Sequence, residues 1–467
     1  MIMSHYKNRI AGACCHLLAL LFVFVTCSDG GDEKIPELEK PKLVSSVPAD
    51  GSENVSTGEQ TILLAFDQNI VLASPHEIRL NGGEVTKAAA AFKELTVTAA
   101  LEKATAYTLV IPAGKVKGPT GVSADEITVR FTTRGSANST INKTLVSPDP
   151  SPQAQRVYDF LVESYGEKII SGVMANVAWN THEAEWVHTH TGKYPALNCF
   201  DYVHLYASPA NWINYEDTRV AEDWWGDNGL IAAGWHWNVP AGANSNGHGF
   251  YAVGKNGGDG ETAFDIRQAV IDGTDENSVI KADLEKIAGN LLLLKEKNIP
   301  VIWRPLHEAS GKWFWWGAGD AASYRTLWIM MFETFKTKGL NNLIWVWTSQ
   351  TDDYDWYPGD DYVDIIGCDI YNKGLTAVSG IYDSLTDEFP DKLITLSEFG
   401  NIAGLSDQWD AGIKWSWMMP WYDYNRTVDP SSGAFNEQTH IHANIQYWEK
   451  ALENDYVITR DQMPSLK

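Results

Sequence analysis

The sequence predicts an α/β fold, a (β/α)8 TIM-type barrel, preceded by a small all-β sandwich. Three observations carry this. Eight apolar, strand-like runs are spread over residues 153–467 with helical stretches or long loops between them. Those runs are continuously apolar rather than alternating, as a parallel sheet covered on both faces requires. Residues 43–134 instead break into short Val-, Ile- and Thr-rich runs separated by Gly, Pro, Asn and Asp, the texture of a sandwich. A chain of 467 residues has room for both. An open doubly wound sheet is the competing fold, and it lacks the Gly-rich phosphate turn after its first strand.

At the N-terminus Lys7 and Arg9 precede the apolar run HLLALLFVFVTC, too short for a comfortable membrane span but suited to a signal-peptide core. The run ends at Cys27, followed by SDGGDE, and this resembles the lipidation site of a bacterial lipoprotein with a surface-export signal. Phe24 and Thr26 depart from the residues usual there. The expectation is a lipoprotein signal peptide over 1–26, a lipid on Cys27 and a polar tether over 27–42. That would anchor the protein in the outer membrane of a Gram-negative bacterium, at the cell surface. A plainly cleaved secretory signal is the alternative. With Cys14, Cys15 and Cys27 in the leader, only Cys199 and Cys368 remain for the folded body. Both lie in apolar runs, as buried thiols do.

Within 43–134 the runs TILLAFDQNIVL, EIRLNGGEVT, ELTVTAAL, AYTLVIPAG and EITVRFTTR supply the strands. SSVPADGSENV followed by LLAFDQNIV resembles a bacterial immunoglobulin-like domain, which implies a spacer. The Ser-, Pro- and Asn-rich stretch 135–152 is a linker.

The barrel, over 153–467, takes its strands from KIISGVMAN, YPALNCFDY, LIAAGWHWN, IPVIWRPLHE, NLIWVWTSQ, VDIIGCDIY, KLITLSEFG and GIKWSWMMPWY. SVIKADLEKIAGNLLLLKEKN and AASYRTLWIMMFETFKTKG read as covering helices. Barrel active sites form at the C-terminal strand ends, and every end here is polar or aromatic. In order they carry Asn176; Asp201 and Tyr202; His236, Trp237 and Asn238; and Arg304, His307 and Glu308. Then come Ser349 and Gln350; Asp369 and Tyr371; Glu398; and Trp417 and Trp421.

Glu308 and Glu398 each close an apolar run, where an unpartnered carboxylate is costly. The fourth and seventh strands face each other across a barrel mouth, so the two can converge on one bond. A pair about 5 Å apart is the machinery of retaining glycoside hydrolysis. Glu308, beside His307 and amid aromatics, suits the proton donor and base; Glu398, within reach of Arg304 or Tyr371, suits the nucleophile. A salt bridge to Arg304 is the bland explanation for either glutamate alone.

Composition narrows the ligand. With 36 Lys and Arg against 60 Asp and Glu, the formal charge of -24 disfavours nucleic acid and acidic polysaccharide. Twenty Trp and 19 Tyr suit a neutral carbohydrate, although many must be core. HEAEW has Trp186 where a zinc motif needs its second histidine, GKNGGDGET lacks calcium-loop spacing, and no G-x-S-x-G elbow occurs.

WRPLHEASGKWFWWG together with SEFGN resembles glycoside hydrolase family 26, over about residues 150–460. The resemblance implies a barrel dominated by endo-β-1,4-mannanases, with Glu308 as acid/base and Glu398 as nucleophile. It implies His236, Arg304, His307 and Tyr371 around the reacting sugar, Trp313 as a stacking residue, and Trp421 or Trp417 as another. No cofactor or metal is implied. Expected partners are β-mannan or manno-oligosaccharides, with the protein a monomer. The family also cuts mixed-linkage β-glucan and β-1,3-xylan, and a non-catalytic glycan-binding lipoprotein is the reading from another class.

Overall fold

A computed structural model describes residues 39–467 apart from 56–57, 103, 134–140, 177–178, 206–212, 243–246 and 427–429. Cys27 and the leader lie outside the described residues.

Two larger sheets and one short two-stranded pairing, Val71–Leu72 with Val116–Lys117, form the N-terminal unit among the described residues. One has four antiparallel strands built around the pairing of Gly58–Phe66 with Glu94–Leu101. The other has five, built around Ala106–Ile111 and Ile127–Thr133. Glu94–Leu101 and Ala106–Ile111 alternate, sending Leu95, Val97, Leu101, Tyr107, Leu109 and Ile111 into a core of their own.

Eight parallel strands then close on themselves: β1 Ile169–Met174, β2 Leu197–Asp201, β3 Leu230–Trp235, β4 Val301–Pro305, β5 Leu343–Ser349, β6 Ile365–Tyr371, β7 Leu393–Gly400 and β8 Trp417–Pro420. β8 pairs with β1 through Ile170 and Trp417, which completes the barrel. β1 to β5, β7 and β8 are buried at every position, which is why their sequences run apolar without alternation. Long helices such as Asp275–Glu296 and Ala321–Thr337 cover the outside, each started by a side-chain cap, Thr274 on Asn277 N and Asp320 on Ser323 N. Between β5 and β6 the connection holds only the short 3-10 turns Tyr354–Trp356 and Asp360–Tyr362.

Eleven tryptophans are almost fully buried, among them Trp315 and Trp316. The tryptophan abundance is therefore largely core packing, and within the run 313–316 only Trp313 stays partly exposed. Cys199 and Cys368 are free, buried thiols. No helix of the described residues is long and apolar enough to cross a membrane.

Candidate active site

β4 stops at Pro305, which has no N–H to continue a ladder. Glu308 therefore does not close the strand, as the apolar run suggested; it sits three residues beyond it. The chain turns there through left-handed conformations at Leu306 (φ 51°), Glu308 (φ 55°) and Lys312 (φ 60°). Such strain in non-glycine residues persists where surrounding structure imposes it, and it gathers at functional sites. It sets the Glu308 carboxyl at the barrel mouth, where Oε2 accepts a hydrogen bond from Trp313 Nε1 at 2.8 Å.

β6 and β7 supply the opposite wall. Their register slips between Cys368 and Asp369, so that Asp369 pairs with Glu398 and Tyr371 with Gly400. An irregularity of this kind re-aims side chains at a barrel rim. Asp369 and Tyr371, two residues apart, share one face of β6. Arg304 of β4 bridges the walls: Nη1 donates to Glu398 Oε1 at 2.7 Å, Nη2 donates to Asp369, and Nε donates to Thr348 Oγ1 at 3.0 Å. The Tyr371 hydroxyl donates to Glu398 Oε2 at 2.9 Å, and Ser397 Oγ to Asp369 Oδ1 at 2.8 Å. Both glutamates belong to one cluster. An oxygen from each of Glu308, Asp369 and Glu398 lies within 4.8 Å of the others.

The remaining predicted residues ring this cluster. His307 is buried, with Nε2 4.0 Å from Glu398 Oε1, beyond hydrogen-bond length. His236 gives both its backbone N–H and its Nδ1 to Asp201, and its ring packs 4.6 Å from that of His307. Trp421 lies with its ring 5.6 Å from His236, whereas Trp417 is 2% exposed within the barrel wall. The Trp421 ring is thus the one that reaches the mouth.

Burial raises the Glu308 pKa to about 7, helped by the Glu398 charge and opposed by Arg304 and the Trp313 N–H. Burial, then Asp369, pushes Glu398 to about 7 as well, while Arg304 and His236 pull it down. Asp369 rises to about 7 by burial, against Arg304, and exchanges a hydrogen bond with Glu308. Three carboxyls around one guanidinium do not all ionise together at neutral pH. Glu398 holds the two donors that favour its anion, Arg304 and Tyr371, while Glu308 has only an indole N–H and a carboxyl neighbour. These partners favour the charge on Glu398 and a proton shared between Glu308 and Asp369. Burial and Arg304 push His307 well below its usual pKa, so it is neutral, while Asp201 outweighs burial and raises His236.

The same three carboxylates have the spacing of a cation site, and the Arg304 guanidinium already supplies positive charge to two of them. Elsewhere, the HEAEW segment forms the helix His182–Thr191, whose buried Glu183 pairs with Arg426 and lies 3.3 Å from His440 Nε2. In the GKNGGDGET loop Glu261 accepts the backbone N–H of Gly254 and Asn256, tying the loop to itself.

Asp201 and Asp369 were legible as strand-end residues, but not as the partners of His236 and Arg304. The D-x-Y spacing of Asp369 and Tyr371 on a strand was the available signal for the second. For the first there was none.

A family model described as glycosyl hydrolase family 26 matches residues 146–459, and one described as a bacterial Ig-like domain matches 38–133. Mannan endo-1,4-beta-mannosidase A of Piromyces sp is 32% identical over 338 residues, 70% of this chain and 52% of that protein. A mannan endo-1,4-beta-mannosidase of Thermothelomyces thermophilus is 35% identical over 303 residues, 61% of this chain and 58% of its own length. The chain thus spans little more than half the length of these curated relatives. Among solved structures, the family 26 domain of an endo-beta-mannanase/endo-beta-glucanase from Prevotella bryantii superposes with TM-score 0.61 at 36% identity, covering 69% of this chain and 99% of that one. A beta-mannanase from a protist symbiont of the termite Reticulitermes speratus, complexed with gluco-manno-oligosaccharide, gives 0.60 at 35%, covering 70% and 99%.

Proposed function

Because the chain belongs to glycosyl hydrolase family 26, we propose that it is a retaining endo-β-1,4-mannanase acting on mannan, galactomannan or glucomannan. One observation carries this reading: Glu308 and Glu398 converge with carboxyl oxygens inside 4.8 Å. That matches the roughly 5 Å of retaining enzymes and leaves no room for the water an inverting pair holds between its carboxyls.

In the first step Glu398 Oε attacks the anomeric carbon while the Glu308 proton passes to the departing glycosidic oxygen. The sugar is left esterified to Glu398. In the second step the Glu308 carboxylate takes a proton from water, the water oxygen attacks the anomeric carbon, and Glu398 leaves as its anion. Arg304 and Tyr371 hold that carboxylate in place through both steps. His236, His307 and Trp421 line the reacting sugar, and Trp313 packs beside the acid. The leader supports attachment to the outer membrane through Cys27, with the sandwich as spacer; radiolabelled lipid on wild type and none on Cys27→Ala is the corresponding test.

Product analysis on mannohexaose and, separately, cellohexaose tests the substrate. Short manno-oligosaccharides from the first alone are expected. Cleavage of the gluco-chain alone would move the activity to β-glucan, and cleavage of neither would leave β-1,3-xylan to be tried, its failure supporting a glycan-binding role.

The Trp313 N–H holds the Glu308 pKa down, so its loss lets that pKa rise. The acid must be protonated to work, so the alkaline limb of kcat/KM falls as pH rises through the Glu308 pKa, near 7. Trp313→Phe is expected to shift that limb to higher pH, measured on mannohexaose, whose leaving oxygen needs the proton. A limb that stays put or moves to lower pH would remove Glu308 as its source.

A further inference from the structure

The loop after β8 leaves the barrel at Trp421 and returns over the end of β7, and the HEAEW helix His182–Thr191 holds both of its limbs. On the outgoing limb Arg426 Nη2 donates to Glu183, and its guanidinium carbon lies 4.2 Å from the centre of the Trp186 ring. On the returning limb the Glu437 carbonyl accepts Trp186 Nε1 at 2.9 Å, and His440 Nε2 lies 3.3 Å from Glu183 Oε2. The side chains of Glu183, Arg426 and His440 are all buried. Removing one member of a buried charged group leaves the others uncompensated, so the three act as a single staple.

The staple fixes the segment that follows it. His440 Nδ1 accepts the backbone N–H of both His442 and Ala443 at 3.0 Å, so its proton is on Nε2, toward Glu183. His442 is thereby set against the end of β7. Its carbonyl accepts Asn401 N at 3.0 Å, and its ring lies edge to face with the Tyr371 ring, centres 5.6 Å apart. Gly400 makes the room. A Cβ there would collide with His442 Nδ1 and stand 2.7 Å from Tyr371 Cδ1, so the glycine of SEFGN is required by close approach.

Both ring nitrogens of His442 are shielded from solvent and have no hydrogen-bond partner among the described residues. Burial, then His440, lowers its pKa, against Asp423 and Glu183. The ring is therefore neutral and meets Tyr371 by packing. The Tyr371 hydroxyl in turn donates to Glu398 Oε2 at 2.9 Å. A ring packed against both the Gly400 backbone and His442 has little freedom to swing that hydroxyl away. We propose that His442, held by the Glu183–Arg426–His440 staple, is a positioning residue that keeps the Tyr371 hydroxyl on the nucleophile. Its action on Glu398 runs through Tyr371. This rests on the retaining-mannanase reading above.

The test is a double-mutant cycle of His442→Ala and Tyr371→Phe. Each protein is incubated with 2-deoxy-2-fluoro-β-mannobiosyl fluoride. A Glu398 oxygen bonds to the anomeric carbon as fluoride leaves, and intact mass follows the ester as it forms. The rate constant at saturation reports the attack by folded protein, because unfolded chains lower the final extent and not the rate. His442→Ala alone is expected to slow capture about tenfold, the worth of one hydrogen bond to a charged acceptor, and His442→Phe to recover most of that loss. In the Tyr371→Phe background no hydroxyl remains to be aimed, and His442→Ala is expected to cost less than about twofold more. Should thermal unfolding show His442→Ala unfolded, His440→Gln takes its place with the same two expectations, since it drops the Nδ1 acceptor and keeps an amide toward Glu183. Equal losses in both backgrounds, or none in either, would overturn the proposal and leave the mannanase reading intact. Wild-type protein that neither takes the label nor hydrolyses mannohexaose would overturn both.

Discussion

Glu398→Ala is expected to lower kcat on mannohexaose by at least about 10⁴-fold, the scale seen when a nucleophile is deleted from a covalent mechanism. The geometry leaves no substitute. Asp369, the other carboxylate of the cluster, has its oxygens committed to Arg304 and Ser397. The fold should survive, because Arg304 keeps Asp369 and Thr348 as partners when Glu398 is gone. Steady-state kinetics alongside thermal unfolding separates the two effects. A folded Glu398→Ala protein retaining more than a few per cent of activity would mean that another group attacks, and the two-glutamate mechanism would be wrong.

Glu308→Ala is expected to fail differently. On mannohexaose, where the leaving oxygen needs a proton, kcat should fall about 10²- to 10⁴-fold. On a 2,4-dinitrophenyl β-mannobioside, whose leaving group departs as a stable anion, the first step no longer needs the acid. The second step still lacks its base, so the glycosyl-enzyme accumulates and KM drops along with kcat. Added azide attacks without a base and should restore turnover, releasing a β-mannosyl azide. Equal impairment on both substrates, with no response to azide, would show that Glu308 is not the acid/base.

How much of this was legible in the sequence follows from what burial does to residue choice. All eight barrel strands were readable because a strand covered on both faces must be apolar throughout, as in LIAAGW and LIWVWTS. Glu308 and Glu398 stood out because a carboxylate next to such a run needs a reason. What escaped was set by contacts distant in sequence. Asp369 meets Arg304 across 65 residues, and Asp201 meets His236 across 35. The end of β4 at Pro305 was visible as a residue but not as the start of a strained turn. The aromatic abundance misled for a physical reason: Trp315 and Trp316 donate their indole N–H to the carbonyls of Trp237 and His307, so they act as braces within the core. Of the run 313–316, Trp313, held by Glu308, is the residue left facing the cleft.

The most direct test of the central claim is to follow mannohexaose hydrolysis by ¹H NMR from the first minutes, before mutarotation, and read the anomeric configuration at the new reducing ends. Double displacement through Glu398 predicts that the β-anomer appears first and the α-anomer grows in later. If the α-anomer appears first, water attacks directly and Glu398 is not a nucleophile, whatever its distance from Glu308.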